Sequence, residues 1–176
     1  MLLLNGDCLE LMQDLSDNSI DLLFCDLPYG CTACVWDTPI DLNKFWKQVN
    51  RICKITCPMF FTCSTKFGVT LINSNTKNFR YDLVWVKSTP CGFLNAKKMP
   101  MRKHEMLYVF YRKLPMYDLS SHNHKFIKET EIQNKYEPPL PNSLLEIKSE
   151  KGKHATQKPV ELIKWCLKYY SKERDT

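Results

Sequence analysis

Glycine is scarce in this chain, and long hydrophobic runs are absent. The 176 residues include five glycines, and no two of them are separated by a single residue. This excludes a Gly-x-Gly loop within the chain, the element that lets a backbone approach a bound nucleotide closely. No apolar run approaches the ~18 residues of a membrane span, and the opening Met-Leu-Leu-Leu is too short and uncharged for a signal peptide. We therefore expect an intracellular protein.

A complete disulfide framework is also excluded, because the nine cysteines are an odd number. They are scattered through apolar segments, as reduced thiols in a core are. Cys31 and Cys34 form a Cys-x-x-Cys, and Cys53 and Cys57 lie four positions apart. Neither pair is accompanied by a second tight pair at a recognised zinc-finger spacing, so we predict no metal site.

Composition indicates one globular, basic domain. Hydrophobic residues make up 44% and aromatic residues 12% of the chain, which argues against disorder. The 25 lysines and arginines exceed the 19 acids and give a formal charge of +6. This charge suits a polyanionic partner, although many basic proteins bind no nucleic acid. Whether the chain binds nucleic acid must therefore be judged from where the basic residues lie along the sequence.

Strand-like and helix-like segments alternate along most of the chain. We predict strands at 1–4, 20–25, 58–63, 81–87, 106–112 and 143–147, and helices at 8–15, 42–53, 66–74 and 159–172. This order favours a parallel, doubly wound α/β sheet. The polar, proline-punctuated residues 114–141 predict a surface excursion. The buried stripe expected on the last helix consists of Leu162, Ile163, Cys166, Leu167 and Tyr170.

The second predicted strand is followed directly by Asp26-Leu27-Pro28-Tyr29-Gly30. In an open α/β sheet, the carboxyl end of a strand faces the ligand crevice. The Asp26 carboxylate and the Leu27 carbonyl offer two acceptors for the two hydrogens of a planar amine. Pro28 holds Leu27 extended, which leaves Tyr29 to stack on a flat ring. The alternative is a loop in which Asp26 caps a helix and Tyr29 packs.

This motif resembles the catalytic Asp/Asn/Ser-Pro-Pro-Tyr/Phe motif of the amino-directed DNA methyltransferases, with Leu27 in place of the usual first proline. The resemblance implies transfer of a methyl group from S-adenosylmethionine to an exocyclic amine of a DNA base. Asp26, Leu27, Pro28 and Tyr29 would be the catalytic residues. Asp26 favours adenine N6, because cytosine enzymes more often have serine there, and N4-cytosine methylation is the alternative.

Two further motifs resemble cofactor-binding parts of the same family. Residues 154–159, His-Ala-Thr-Gln-Lys-Pro, resemble its His-Pro-x-Gln-Lys-Pro loop, where helix N–H groups and a lysine can hold a carboxylate. Asn5-Gly6-Asp7 resembles the Gly-Asp that lies at the adenosyl end of the cofactor, and a helix N-cap is an equal alternative for Asp7. The implied cofactor-binding residues are Asp7, His154, Thr156, Gln157 and Lys158.

Residues 87–104 contain lysines and arginines but no acid, interleaved with Phe93 and Asn95. Such a segment can neutralise phosphates while an aromatic or amide side chain meets bases, and a solvated face is the alternative. It resembles the substrate-binding part of viral and phage-type adenine methylases, whose Asp-Leu-Pro-Tyr-Gly, Trp-Asp and Phe-Leu-Asn-Ala-Lys-Lys pieces occur at 26–30, 36–37 and 93–98. The implied DNA-binding residues are Lys87, Asn95, Lys97, Lys98, Arg102, Lys103 and His104.

The resemblance implies one methyltransferase domain over 1–176, with a catalytic part at 1–87, a basic DNA-contacting and excursion segment at 88–141 and a cofactor-contacting part at 142–176. In this subclass the glycine-rich cofactor motif follows the last helix. We therefore expect an incomplete Rossmann-like α/β sheet with an open edge and an inserted basic segment, in a truncated or split enzyme.

Partners and rival functions follow from the same resemblance. DNA is the expected partner, together with a second chain or self-association that completes the cofactor site. A viral origin would place the protein in the cytoplasm or nucleus of the host cell. The rival functions are a catalytically inactive DNA-binding remnant and methylation of an RNA base or a glutamine amide.

Overall fold

The computed structural model describes residues 2–30, 37–122, 125–128, 134–137, 139–150 and 157–176. Within these residues the helices are α1 (Cys8–Leu11), α2 (Leu42–Ile52), α3 (Thr65–Ser74) and α4 (Val160–Tyr170), with 3₁₀ turns at Met12–Asp14 and Phe93–Asn95. The strands are β1 (Leu23–Cys25), β2 (Met59–Cys63), β3 (Phe79–Cys91), β4 (Arg102–Phe110), β5 (Lys125–Lys128), β6 (Asn134–Glu137) and β7 (Leu144–Glu146). None of the described helices is long and apolar enough to span a membrane.

Five of these strands form one open sheet in the order β1-β2-β4-β3-β7. The pairs β1–β2 and β3–β7 are parallel, whereas β4 runs antiparallel to both of its neighbours. The prediction of a purely parallel sheet is therefore wrong at β4. The physical reason is that the short connection from β3 to β4 forms a hairpin, and parallel neighbours need a longer crossover.

Side-chain caps and a proline mark the beginnings of the longer helices. Asp41 accepts the N–H groups of residues 43 and 44 at the start of α2, and Ser64 accepts that of Phe67 at the start of α3. Such caps satisfy backbone donors that have no partner inside the helix. Pro159 occupies the N-cap position of α4, so this helix starts within one residue of its predicted beginning.

Each face of the sheet carries its own hydrophobic core. On one face, α2 and α3 cover Phe61 of β2, and on the other face α4 packs over Phe60. These neighbours point to opposite sides because side chains alternate along a strand. All of β2 is buried, as expected for a strand covered on both faces. The result is a helix, sheet and helix layering.

The buried stripe of α4 agrees with the prediction at three positions and differs at two others. Leu162, Cys166 and Tyr170 are buried as expected. Ile163 is only half-buried and Leu167 is exposed, and Tyr169 takes the buried position instead, stacking edge-on against Trp165. Aromatic packing with residues before β5 thus rotates the buried face of this helix.

The predicted strand at 1–4 is absent, since described residues 2–4 form no strand and Leu2, Leu3 and Leu4 are exposed. A strand needs a neighbour for its backbone groups, and no described segment pairs with these residues. β1 stands at the end of the strand order, and Thr176 meets the residues just before it, accepting the N–H groups of Asp21 at 2.6 Å and Leu22 at 3.2 Å. β1 is therefore an edge strand of the described sheet.

Candidate active site

Three neighbouring strands bring Asp26, Thr62 and Glu105 together. Asp26 follows the last residue of β1, and the β1–β2 register places Thr62 beside it. β4 lies next along the sheet and contributes Glu105, which precedes Met106, the register partner of Cys63. The candidate site is thus built by sheet register, at the carboxyl ends of the parallel strands β1 and β2 and an inner position of the antiparallel β4.

Asp26 has hydrogen-bond donors on both carboxylate oxygens. Its Oδ1 accepts the hydroxyls of Tyr29 at 2.8 Å and Thr62 at 2.5 Å. Its Oδ2 accepts from the Lys158 ammonium at 2.8 Å. Hydrogen bonds to a charged acceptor are short and strong, so they fix the orientation of this carboxylate. The sequence alternative in which Asp26 caps a helix does not describe this arrangement.

Tyr29 is held both by the face of its ring and by its hydroxyl. The ring stacks on Phe67, with centroids 5.5 Å apart, and the hydroxyl lies 2.8 Å from Asp26 and 3.1 Å from Glu105. Burial, followed by the charges of Glu105 and Asp26, raises the pKa of Tyr29 well above its ordinary value. The hydroxyl therefore remains a donor. Stacking of Tyr29 on a substrate base stays a prediction.

The turn after Asp26 is held by a backbone conformation and a buried acid. Gly30 has φ +64°, and a Cβ there would lie 2.7 Å from the Pro39 side chain, so only glycine fits without strain. Its N–H donates to the buried carboxylate of Asp37 at 2.8 Å. Leu27 buries its side chain in the core, which fixes the backbone that carries the predicted acceptor carbonyl.

Glu105 joins two lysines to the site. Its Oε2 lies 2.8 Å from the Lys87 ammonium, and its Oε1 lies 3.3 Å from that of Lys158. The side chains of Glu105, Lys158 and Lys87 are only 13%, 11% and 17% exposed. Buried charges require such pairing, because an unpaired one costs several kcal/mol. Asp26, Glu105, Lys87 and Lys158 therefore form one electrically balanced set, called the four-charge network below.

Thr62, Glu105 and the role of Asp37 were not predicted from the sequence. Thr62 is the one polar side chain in β2, and a lone hydroxyl in an apolar strand is a usable signal. Glu105 is the first acid after the basic residues 87–104. Asp37 belongs to the Trp-Asp pair noted in the sequence, and Trp36 lies outside the described residues. None of these signals gives a spatial neighbour by itself.

The predicted cofactor residues fall into three groups. Asp7 caps α1 and accepts the N–H of Leu9 at 2.7 Å, which agrees with the N-cap alternative. Gln157 is exposed, whereas the Lys158 ammonium turns toward Asp26 and Glu105. His154 and Thr156, like Cys31 and Cys34, lie outside the described residues. At the start of α4, the Val160 N–H donates to the carboxylate of Glu150 at 3.0 Å.

The predicted DNA-binding residues lie on the hairpin formed by β3 and β4. Six of them are exposed, namely Asn95, Lys97, Lys98, Arg102, Lys103 and His104. Lys87 differs, because it pairs with Glu105 and lies 4.8 Å from the centre of the Trp85 ring. Phe93 and Leu94 are almost fully exposed at the turn of the hairpin. Lys87 is therefore part of the ion pairs near Asp26, whereas the other six residues are exposed on the hairpin close in sequence to Phe93 and Leu94.

Thiols near the site are shielded from reaction. Burial raises the pKa of Cys25, next to Asp26, to about 12, with smaller contributions from Cys8, Cys53 and Asp26. Burial likewise raises the pKa of Cys63. Since the thiolate is the reactive form, neither cysteine is suited to act as a nucleophile at neutral pH.

Comparison with known proteins places residues 20–176 in the family described as DNA methylase. No curated protein matches the chain significantly. Among solved structures, the complex of M1.HpyAVI with SAM is 19% identical with a TM-score of 0.63, and 98% of this chain matches 78% of that one. PvuII DNA methyltransferase, described as cytosine-N4-specific, is 14% identical with a TM-score of 0.67, over 97% of this chain and 70% of that one.

A second structure, described as the crystal structure of M1.HpyAVI, is 16% identical with a TM-score of 0.60. The match covers 98% of this chain and 76% of that one. At these identities the likeness concerns the fold. It confirms the expected fold class, an open Rossmann-like α/β sheet that matches part of each of these structures.

Proposed function

Because the chain belongs to the DNA methylase family, whose members use S-adenosylmethionine, we propose that it methylates the N6 amine of adenine in DNA. The observation that carries this proposal is the hydrogen bonding of Asp26. Oδ1 is fixed by the hydroxyls of Thr62 and Tyr29, while Oδ2 accepts an N–H donor. An oriented carboxylate that takes an N–H is what an exocyclic amine requires.

The chemical difficulty is the low nucleophilicity of a base amine, whose lone pair is delocalised into the ring. Asp26 Oδ2 and the Leu27 carbonyl would accept its two hydrogens and draw the nitrogen toward tetrahedral geometry. These acceptors also stabilise the positive charge that develops on nitrogen. The target base must leave the helix to reach them, and Tyr29 is the side chain proposed to lie against it. S-adenosylmethionine supplies an electrophilic methyl group on a sulfonium cation.

The described residues fit this cofactor by their chemistry. Asp7 presents an exposed carboxylate that suits sugar hydroxyls, and Gln157 presents an exposed amide. Leu9 of α1 and Cys25 at the end of β1 pack against the same hydrophobic core. We propose that the cofactor contacts comprise Asp7, His154, Thr156, Gln157 and Lys158.

DNA binding is proposed for the hairpin of β3 and β4. Its exposed lysines and Arg102 supply positive charge without an intervening acid, and Asn95 offers an amide. Backbone phosphates attract such a surface regardless of sequence, which supports affinity more than specificity. Lys87 is proposed to act within the four-charge network instead, because it is paired with Glu105.

The second candidate is methylation of cytosine N4. The likeness to the cytosine-N4-specific PvuII enzyme favours it, and the acid at position 26 favours adenine. Both bases present a planar amine of the same geometry to the two acceptors, so the choice between them depends on the shape of the base pocket.

The decisive experiment is methyl transfer from labelled S-adenosylmethionine to plasmid DNA, RNA and protein in parallel. Nucleoside mass spectrometry of the digested DNA should show N6-methyladenine, and N4-methylcytosine would establish the second candidate. Asp26→Ala should abolish transfer and keep DNA binding. Label in RNA or protein alone would contradict the proposal, and absence of any transfer by the unmodified chain with intact DNA binding would support a DNA-binding remnant.

A further inference from the structure

The Lys158 ammonium lies where an amine substrate must bind. Asp26 Oδ1 already accepts two hydroxyls, so Oδ2 is the oxygen suited to a further N–H donor. Lys158 Nζ occupies that oxygen at 2.8 Å. The lysine thus makes the same kind of N–H contact with Asp26 that a base amine would make. An incoming amine has to compete with it.

A second carboxylate is within reach of the same ammonium. Glu105 Oε1 lies 3.3 Å from Lys158 Nζ, and the other oxygen of Glu105 is held by Lys87 at 2.8 Å. Lys87 fixes Glu105 in place, so Glu105 need not move when Lys158 does. The ammonium can therefore leave Asp26 and remain paired with Glu105.

We infer that Lys158 is a built-in occupant of the amine site and that Glu105 is the positioning residue that receives its ammonium when the target amine binds Asp26. This inference rests on the proposed function, and Glu105 itself touches no substrate. Without Glu105, the displaced ammonium would be left nearly buried and unpaired, which is strongly unfavourable. Amine entry would then be opposed by the full cost of breaking the Lys158–Asp26 pair.

The exchange leaves the charges of the site unchanged. Before the amine binds, Lys158 is shared between Asp26 and Glu105; afterwards Glu105 holds both lysines and Asp26 faces the amine. No proton or charge leaves the four-charge network. Before the substrate binds, the partly exposed Asp26 carboxylate is paired with Lys158. The unliganded site therefore contains no unpaired charge among these four residues.

The first test measures the acylation rate of Lys158 in the unliganded protein by mass spectrometry. Asp26→Asn removes one charged partner and Glu105→Gln removes the other. Each single variant should leave Lys158 protected to within about twofold, because the remaining carboxylate holds it, and the double variant should acylate as fast as exposed Lys164. Exposure of Lys158 in either single variant, or continued protection in the double variant, would overturn the inference.

The second test is a double-mutant cycle on kcat/KM for methyl transfer to plasmid DNA. Glu105→Gln should lower kcat/KM about 10- to 100-fold, mainly through KM, in the unmodified protein and less than about threefold in a Lys158→Met background. An equal loss in both backgrounds would show that Glu105 does not act through Lys158. The same cycle with Lys87→Met tests whether Glu105 acts through Lys87 instead. Strong coupling of Glu105 with Lys87, and none with Lys158, would also overturn the inference.

Two controls separate this inference from the proposed function. Glu161→Gln removes a surface acid that pairs with Lys164 on α4, and should change neither Lys158 acylation nor kcat/KM. If the unmodified protein transfers no methyl group, the proposed function fails, while the acylation rates still decide whether the two carboxylates share Lys158. Melting curves of every variant, together with the acylation rate of Lys164 in the variants that keep Glu161, verify that the fold is intact.

Discussion

Thr62 donates its hydroxyl to Asp26 Oδ1 from the neighbouring parallel strand, in a position set by the pairing of Cys25 with Phe61. The hydroxyl is buried, so it serves the carboxylate and not solvent. Together with Tyr29 it leaves Oδ2 for the amine.

Thr62→Val should therefore lower kcat/KM for methyl transfer about 10- to 150-fold, because a hydrogen bond to a charged group contributes about 1.5–3 kcal/mol. Thr62→Ser keeps the hydroxyl and is the matched control, with activity expected near that of the unmodified protein. Steady-state kinetics with plasmid DNA measure both. Activity kept in Thr62→Val and lost in Thr62→Ser would mean that the methyl group of Thr62, and not its hydroxyl, matters.

Gly30→Ala should destabilise the protein by about 1–3 kcal/mol, since it adds a side chain at positive φ. The new Cβ would also lie 2.7 Å from Pro39. Gly92→Ala is the matched control, because Gly92 has φ +94° and no atom within 4 Å of the added Cβ. Urea unfolding should give the larger loss at Gly30. If the two losses are equal, the contact with Pro39 carries no cost.

Replacing Lys97, Lys98 and Lys103 with glutamine should weaken DNA binding at all sequences alike. Each phosphate contact that is lost should reduce the slope of log K against log salt by about one. Lys44→Gln is the control, because Lys44 is a highly exposed lysine on α2. Fluorescence anisotropy with a labelled duplex at several salt concentrations measures the slope. An unchanged slope would exclude the hairpin from phosphate contact.

Stability should fall with rising pH in the alkaline range because of Tyr29. Its pKa is raised in the folded state, chiefly by burial, from an ordinary value of 10.0. The folded protein therefore keeps a proton that the unfolded chain loses, and the associated stability is present below pH 10 and declines above it. Urea midpoints between pH 8 and about pH 11 should fall more steeply for the unmodified protein than for Tyr29→Phe. If the urea midpoints of the two proteins fall equally with pH, Tyr29 is not the cause of the alkaline loss of stability.

Local pattern was sufficient to predict α2 and β2. Helical spacing places Phe45, Trp46 and Val49 on one face of α2, and a short apolar run bounded by polar residues marks β2. Both elements lie within one residue of their expected bounds, because burial of their own side chains decides their structure.

The long hairpin could not be bounded in the same way. β3 extends to Cys91 and β4 begins at Arg102, well beyond the apolar segments that predicted them. In these outer parts each strand is held by pairing with the other, and the exposed polar side chains carry no hydrophobic signal. The reversal of direction at β4 escaped prediction for the same reason.

The candidate site was likewise predicted only in part. Asp26 and Lys158 were each predicted from local motifs, but their ion pair joins residues 132 positions apart and depends on how α4 packs. Glu105 comes from a third segment, placed by the pairing of β3 with β4. Motifs thus supply the reactive groups, and long-range packing supplies their partners.

The alternation of Phe60, Phe61 and Thr62 along β2 makes activity a reporter of correct folding. A slip of β2 by one residue would exchange the two aromatic rings between the cores and turn the Thr62 hydroxyl away from Asp26. A sheet misaligned by one residue therefore cannot keep both rings in their own cores and the Thr62 hydroxyl on Asp26. Selection for methyl transfer and selection for a single native pairing would therefore act on the same three consecutive side chains.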